Sequence, residues 1–378
     1  MIKSLNLYTS LYKLVLVIRM KHEFKFDAND ENYKLLNEIF KIIASRDAKR
    51  IMSRNGLKDI DEVIIIIKTI FLSIYFETDI TFAVEQLESH SELRKGLNIP
   101  YVLSSDIIYN RLSRLNPVIL ENTVNSILNN LRHDYKRGVR SFIIDATPGD
   151  LNINFGSKNI SKESLEEKDF KWGWGTAIGY YIGYKVTVVL DYKTKMPVYF
   201  MVESGSPSDT KMVGKILPIL RRKKIIQRGD RILFDRGYYS YENYKLALQK
   251  YKVIPLILIK EKFDKKKLED MLSFPLEIFK NKKENLKKAK RQYMALVKEL
   301  MNFIMKTKKI KYHRGFIEDF FKIMKVGFGF KKLNRYTLKS MRKFTALNIF
   351  LAGLIVYLRI ETKKDFQKFA EGTLLKCQ

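Results

Sequence analysis

The 378-residue sequence predicts an α/β fold, a mixed sheet with flanking helices, preceded by a mostly helical N-terminal region. Three observations carry this prediction. Between residues 20 and 135, apolar residues recur at helical spacing. From Ser141 the pattern changes to short apolar runs bounded by polar or Gly-containing segments, as strands require. Amphipathic stretches separate the later runs, so strands and helices alternate.

The elements are taken in order. Asn32–Ser45 carries Leu35, Leu36, Ile39, Phe40 and Ile43 at helical spacing. Asp59–Phe76 reads as an apolar helix entered through an acidic cap, Asp59 and Asp61. Thr81–Leu87 and SHSELRKGLNIP give two shorter helices, the second stopped by Gly96 and Pro100. Ser104, Ser105 and Asp106 cap IIYNRLSRL, which Pro117 ends. Tyr109, Asn110, Arg111 and Arg114 on that helix fit either a DNA-reading module or a prefix packed on the α/β domain. HDYKRGVR is a basic connector. SFIIDA is a central strand, and residues 150–176 read as a polar loop holding Trp172 and Trp174, placed for packing or for stacking on a base. Tyr180–Leu190 and Pro197–Val202 flank DYKTKM as a hairpin. Ser208 or Asp209 caps the next helix. RILF, ended by Asp235, and Tyr251–Ile259 are strands around a helix opened by Ser240. Residues 260–311 hold 17 Lys and Arg against 7 Asp and Glu and read as a basic, helical insertion. Thr337–Ile360 is a long apolar closing helix. The expected division is 1–135 (helical), 136–360 (α/β) and 361–378 (tail).

Charge narrows the function. Lys and Arg number 71 against 41 Asp and Glu, a net +30, which predicts a polyanionic partner, nucleic acid first. The single cysteine, Cys377, excludes an internal disulfide, and four scattered histidines exclude a zinc cluster, so an intracellular location is expected. No segment is expected to reach the roughly 18 apolar residues that cross a bilayer. The opening MIKSLNLYTSLYKLVLVIRM mimics a signal peptide but lacks a cleavage site, and translation starting at Met20 is the plain alternative.

The most informative stretch is YHRGFIEDFFKIMK, residues 312–325. As a helix it places Arg314, Glu318, Lys322 and Lys325 on one side and Ile317, Phe320, Phe321 and Met324 on the other. Taken alone, that is ordinary i,i+4 ion pairing. Together with Asp145 and Asp235 on separate apolar runs, it becomes three carboxylates for divalent ions that face a phosphate. The spacing resembles the signature of IS4-type DDE transposases, Tyr-(2)-Arg-(3)-Glu-(6)-Lys, which Arg314, Glu318 and Lys325 match. Tyr312 departs from it: it stands one residue too near Arg314, and Lys311 holds the expected place. FIIDATP and DRGYYSYENY resemble the family's first and second Asp motifs.

The resemblance implies an RNase H-like catalytic sheet, which the order of strands and helices also suits. It implies Asp145, Asp235 and Glu318 as catalytic metal ligands for two Mg²⁺ ions, with Mn²⁺ able to substitute. Asp145 would be shared and the other two would each complete one ion. Arg314, Lys325, Tyr312, Lys322 and Arg236 are the expected DNA contacts, with Arg236 alternatively orienting Asp235. The expected partners are double-stranded DNA (terminal inverted repeats and target) and a second copy in a homodimer on that DNA. A cytoplasmic, DNA-associated location and no membrane role are expected. Two alternatives stay open: an RNase H-like nuclease without strand transfer, and a catalytically inactive transposase-derived DNA-binding protein.

Overall fold

The computed structural model describes residues 31–132, 138–153, 165–175, 179–259, 263–276, 285–304 and 313–361. The N-terminal leader, most of the basic connector, part of the predicted 150–176 loop, Tyr312 and nearly all of the tail lie outside the described residues. The chain divides into two compact units, Met1–Arg50 with Leu57–Arg114, and Ile51–Gly56 with Leu115–Gln378.

The first unit is helical among its described residues. It comprises α1 (Glu31–Ile43), the start of α2 (Arg46–Arg54), α3 (Ile60–Tyr75), α4 (Ile80–Ser89), α5 (Ser91–Gly96) and α6 (Ser105–Arg114). Helix α3 is its centre, buried from Ile64 to Tyr75. Lys68 lies within that run because its ammonium donates to the carbonyls of Leu97 and Asn98, at 3.3 and 2.7 Å. Burial pushes Lys68 down to about 8. The acidic cap expected for α3 is corrected: Asp59 adopts φ 48 with no side-chain cap bond, and Asp61 pairs with Lys49 at 2.6 Å. Helix α6 buries only Ile108, and its Arg111 pairs with Glu62 at 2.7 Å.

The second unit is built on a six-stranded mixed sheet. Its strands are β1 (Ser141–Asp150), β2 (Lys171–Gly175), β3 (Gly179–Asp191), β4 (Pro197–Ser204), β5 (Arg231–Phe234) and β6 (Ile254–Ile257). Strand β1 is central, antiparallel to β3 and parallel to β5, and β5 is parallel to β6. β3 also pairs antiparallel with β4 and β2. An antiparallel meander followed by two parallel strands reached through helices is the RNase H-like order. Two expectations change. β1 runs on through Pro148 and Gly149 to Asp150, so Asp145 lies mid-strand. Trp172 and Trp174 sit on a strand, not in a loop.

Helix α8 (Asp209–Arg222) presents Met212, Val213, Ile216, Leu217 and Leu220 to a core shared with Phe142 and Ile144 of β1, Ile232 and Phe234 of β5, and Tyr293, Leu296 and Leu300 of α11 (Leu286–Ile304). The described part of the basic insertion is helical, with α10 (Lys265–Met271) before α11. A helix opened by Ser240, α9 (Tyr241–Lys245), widens into a π turn over Leu246–Tyr251.

The closing helix α13 (Leu338–Glu361) packs along α7 (Pro117–Leu131) and on β4. Arg342 clasps Glu121 of α7 through Nε and Nη2, at 2.6 and 2.5 Å. Gly353 lets the two helices close: a Cβ there would lie 2.8 Å from Leu128 Cδ2. This helix also corrects the membrane expectation. Leu338–Arg359 is long and apolar enough to cross a bilayer, but it is 78% buried within the fold, as a core helix is.

Candidate active site

Alternation along β1 fixes where Asp145 points. Phe142 and Ile144 enter the core beneath α8, so Ile143 and Asp145 face the other side of the sheet. The parallel register sets Ile144 beside Phe234, so Asp235 follows on the neighbouring strand directly next to Asp145. Asp235 opens a 3₁₀ turn, Arg236–Tyr238, without capping it, which leaves its carboxylate for other partners. Glu318 comes from α12 (Gly315–Lys322), whose Ile317, Phe320 and Phe321 are buried.

One guanidinium joins two of these acids. Arg314, just before α12, bonds Asp235 Oδ1 through Nη1 and Glu318 Oε1 through Nη2. Burial alone would lower its basicity, but Asp235, Glu318 and Asp145 together hold Arg314 above the usual arginine value. Asp145 accepts the Ala146 amide at 2.8 Å. Burial, reinforced by the charges of Asp235 and Asp209, pushes Asp145 up to about 7 against that bond and Arg314. Helix α12 continues as a π turn, Ile323–Gly327, which carries Lys325. Burial and Lys331 lower the Lys325 ammonium, while Asp145 acts in the opposite sense, which places Lys325 in the field of the first acid.

The structure adds two residues to the sequence-predicted set. Asp209, expected to cap α8, is instead the first residue of that helix, and its Oδ1 meets Lys185 Nζ at 2.5 Å. Its other oxygen lies over Gly237, where a Cβ would approach to 2.6 Å. Lys185 is buried and also donates to the Pro207 carbonyl at 2.7 Å. A charged residue inside the apolar run GYYIGYKVTVVL was the available signal for Lys185. Asp209 gave none, because an acid at a helix start reads as a cap. Tyr238 is fully buried beside Asp145, Asp209 and Asp235, and burial with those charges raises its phenol well above the usual value.

Other expected contacts lie elsewhere. Lys322 is exposed and meets Asp319 at 3.6 Å. Arg236 is exposed beside Asp235. Tyr312 falls outside the described residues. His313 meets the Tyr192 hydroxyl at 2.8 Å. Trp174 and Tyr180 form an exposed edge-on pair 4.9 Å apart.

The donors are hard carboxylate oxygens, which suit Mg²⁺ or Mn²⁺ and not zinc. Among the described residues no three candidate ligands converge on one ion position. Between Asp235 and Glu318 the Arg314 guanidinium supplies the positive charge that a divalent ion held by the same carboxylate oxygens would supply in its place.

A family model described as Transposase DDE domain matches residues 140–354, more than half of the chain and inclusive of all three acids. A cryo-EM structure of the piggyBac transposase synaptic complex with hairpin DNA is similar with a TM-score of 0.43 and 14% identity, over 89% of this chain and 78% of that one. No match is found among curated proteins.

Proposed function

The chain belongs to the family of transposase DDE domains, and from that premise we propose an IS4-type enzyme that cleaves the ends of its own mobile element and joins them to target DNA. The observation that carries this reading is Arg314 joining Asp235 to Glu318 beside Asp145. Three separate parts of the chain thus supply one acidic cluster with a cation suited to phosphate in its middle.

In the proposed reaction, water attacks the phosphorus at the element's end, the P–O3′ bond breaks, and a 3′-hydroxyl is released. That hydroxyl then attacks a target phosphorus and displaces the target's own 3′-oxygen. Asp145, Asp235 and Glu318 would hold two divalent ions, which supply positive charge at the reacting oxygens. The remaining work belongs to the chain. Arg314, released from its two carboxylates, is placed to grip a phosphate bidentately, and Lys325 adds a point charge. Asp209, held by Lys185, places a further carboxylate near Asp145. The +30 net charge serves non-specific DNA attraction. The enzyme works as a homodimer on DNA in the cytoplasm.

The test is strand cleavage and joining on a duplex that carries the inverted repeats flanking the coding sequence, with Mg²⁺ or Mn²⁺. Asp145→Ala, Asp235→Ala and Glu318→Ala should each abolish both steps and keep duplex binding. Activity surviving in any of the three removes that residue's assignment, and hydrolysis without a joined product reduces the enzyme to a nuclease.

A further inference from the structure

The turn between β3 and β4 is built around Asp191. Its carbonyl accepts the Lys195 amide at 2.8 Å, and its amide donates to the Met196 carbonyl at 2.9 Å. Its Oδ1 accepts from the Lys193 and Thr194 amides and the Thr194 hydroxyl, while its Oδ2 meets Arg132 Nη1 at 2.6 Å. Asp191 and Thr194 are buried, so the turn is fixed from beneath. Within it Lys195 adopts φ 58, a left-handed conformation that a residue with a Cβ takes at a cost. A lysine held there calls for a reason outside the turn.

The reason lies on α12. From this position Lys195 lays its ammonium over two rings, 4.0 Å from the centroid of Tyr192 and 3.3 Å from that of Phe316. It also donates to the Tyr192 carbonyl. The Tyr192 hydroxyl meets His313 Nδ1 at 2.8 Å, and its ring stands edge-on to His313 and Phe316 at 5.3 and 5.8 Å. An ammonium over aromatic faces is attracted by the ring quadrupoles, more strongly where water is partly excluded. Lys195 meets that condition. Burial pushes it down to about 8 against the charge of Asp191, so it is mostly charged at pH 7.

His313 and Phe316 lie on either side of Arg314 in sequence, and Phe316 stands two residues before Glu318. Two residues along a helix amount to about 200° of rotation, so Phe316 and Glu318 project from opposite sides of α12. This end of the helix is thus held twice. Arg314 ties it to Asp235 on one side, and the β3–β4 turn grips it on the other. In the proposed reaction the first tie breaks, because Asp235 takes an ion and Arg314 takes a phosphate. The second uses none of those groups and outlasts the exchange.

We propose that Tyr192, Lys195, His313 and Phe316 form a clasp that positions the Glu318 helix on the sheet while Arg314 changes partners. Lys195 is a positioning residue, acting through α12. The purpose of the clasp rests on the proposed reaction, but its hold on α12 does not, so the two are tested by different readouts.

The experiment compares full-length Lys195→Gly, Lys195→Arg and Lys193→Gln with the unaltered protein at pH 7. Glycine accepts φ 58 without strain, so it keeps the turn and loses the clasp. Arginine keeps a cation for the rings, and Lys193→Gln removes the same charge from an exposed position in the same turn. Amide hydrogen exchange is measured first, without DNA or metal ions. In Lys195→Gly, exchange over residues 313–325 should quicken about three- to tenfold, as loss of a partly buried cation–π contact implies, with β4 and the thermal midpoint unchanged. Lys195→Arg should recover most of the protection, and Lys193→Gln should match the unaltered protein. Cleavage of end-bearing duplex with Mg²⁺ is measured second. The single-turnover rate at saturating duplex should fall by a similar factor in Lys195→Gly, with the half-saturating duplex concentration unchanged. Unchanged exchange over 313–325, or faster exchange with an unchanged rate, overturns the proposal. So does faster exchange across the whole sheet with a lowered midpoint, which reduces Lys195 to general stability. A shift in half-saturation alone, shared by Lys193→Gln, makes Lys195 a DNA contact and overturns it too. Absence of cleavage by the unaltered protein strikes the proposed function instead, and exchange alone then decides the clasp.

Discussion

Replacing Arg314 with Ala should tighten divalent-ion binding while weakening cleavage, two effects that a simple loss of structure would not separate. Two ion pairs set the magnitude. Arg314 is 28% exposed, Asp235 30% and Glu318 50%. Pairs at this level of exposure are screened and contribute roughly 0.2–1 kcal/mol each, with the half-exposed Glu318 at the lower end. Together they amount to about 0.4–1.2 kcal/mol, which any ion taking Asp235 and Glu318 must overcome. Without the guanidinium, that opposition and the repulsion between like charges both vanish. Ion affinity should therefore rise roughly two- to eightfold. The assay is calorimetric titration of Mn²⁺ at pH 8, without DNA, into the unaltered protein and into Arg314→Ala. Arg314→Lys should fall between them, because a single ammonium spans the two acids poorly. Cleavage of end-bearing duplex should drop in both variants, because the same guanidinium is assigned to the phosphate. Mn²⁺ affinity equal to or below that of the unaltered protein would refute the account of Arg314 as a stand-in cation.

Other outcomes are expected at the buried acids and in the helix packing. Asp145 is held near 7 in the fold against an ordinary carboxylate value near 3.8. Its contribution to stability is complete below about 4 and lost as pH rises to about 7, so Asp145→Asn should flatten the pH dependence of the urea midpoint across that window. Mn²⁺ binding at pH 6 should release a proton, read as a dependence of the binding heat on buffer ionisation enthalpy that Asp145→Asn abolishes. Asp191→Ala leaves the Arg132 guanidinium buried without its counter-charge and should cost about 3–5 kcal/mol in chemical denaturation. Gly353→Val should cost about 1–3 kcal/mol in thermal unfolding, because its Cβ would press on Leu128 Cδ2 at 2.8 Å and Pro197 Cγ at 3.1 Å.

Local rules reached most of the architecture because most elements follow their own periodicity. Ile317, Phe320, Phe321 and Met324 are spaced as one helical face, and all four are buried. The strands around Ile144 and Phe234 and the helix through Met212, Ile216 and Leu220 were legible for the same reason. Where tertiary pairing overrides local preference, the sequence misled. Pro148 and Gly149, just past the SFIIDA run, are poor strand residues locally, yet they continue β1 with Lys185 and Tyr184 of β3 opposite them. Lys171–Gly175 alternates Trp172 and Trp174 with glycine over only five residues, too short and Gly-rich a run to stand out, and its pairing with β3 makes it a strand. Asp209 and Lys185 were hidden at the acid cluster for a related reason: each has a common local use, and only the fold brings them together. The link between Arg132 and Asp191 spans 59 residues and has no local signal at all.

The central position of β1 has a consequence during synthesis. Its parallel neighbour begins at Arg231, 90 residues downstream of the Ser141 with which it pairs. At roughly 5–20 residues per second the ribosome leaves that edge open for on the order of ten seconds. Throughout that interval a nascent chain displays FII with one flank unpaired, the kind of edge that recruits other chains. Slower growth in the cold and a supply of holdase chaperone should therefore decide how much of this polypeptide reaches its native state.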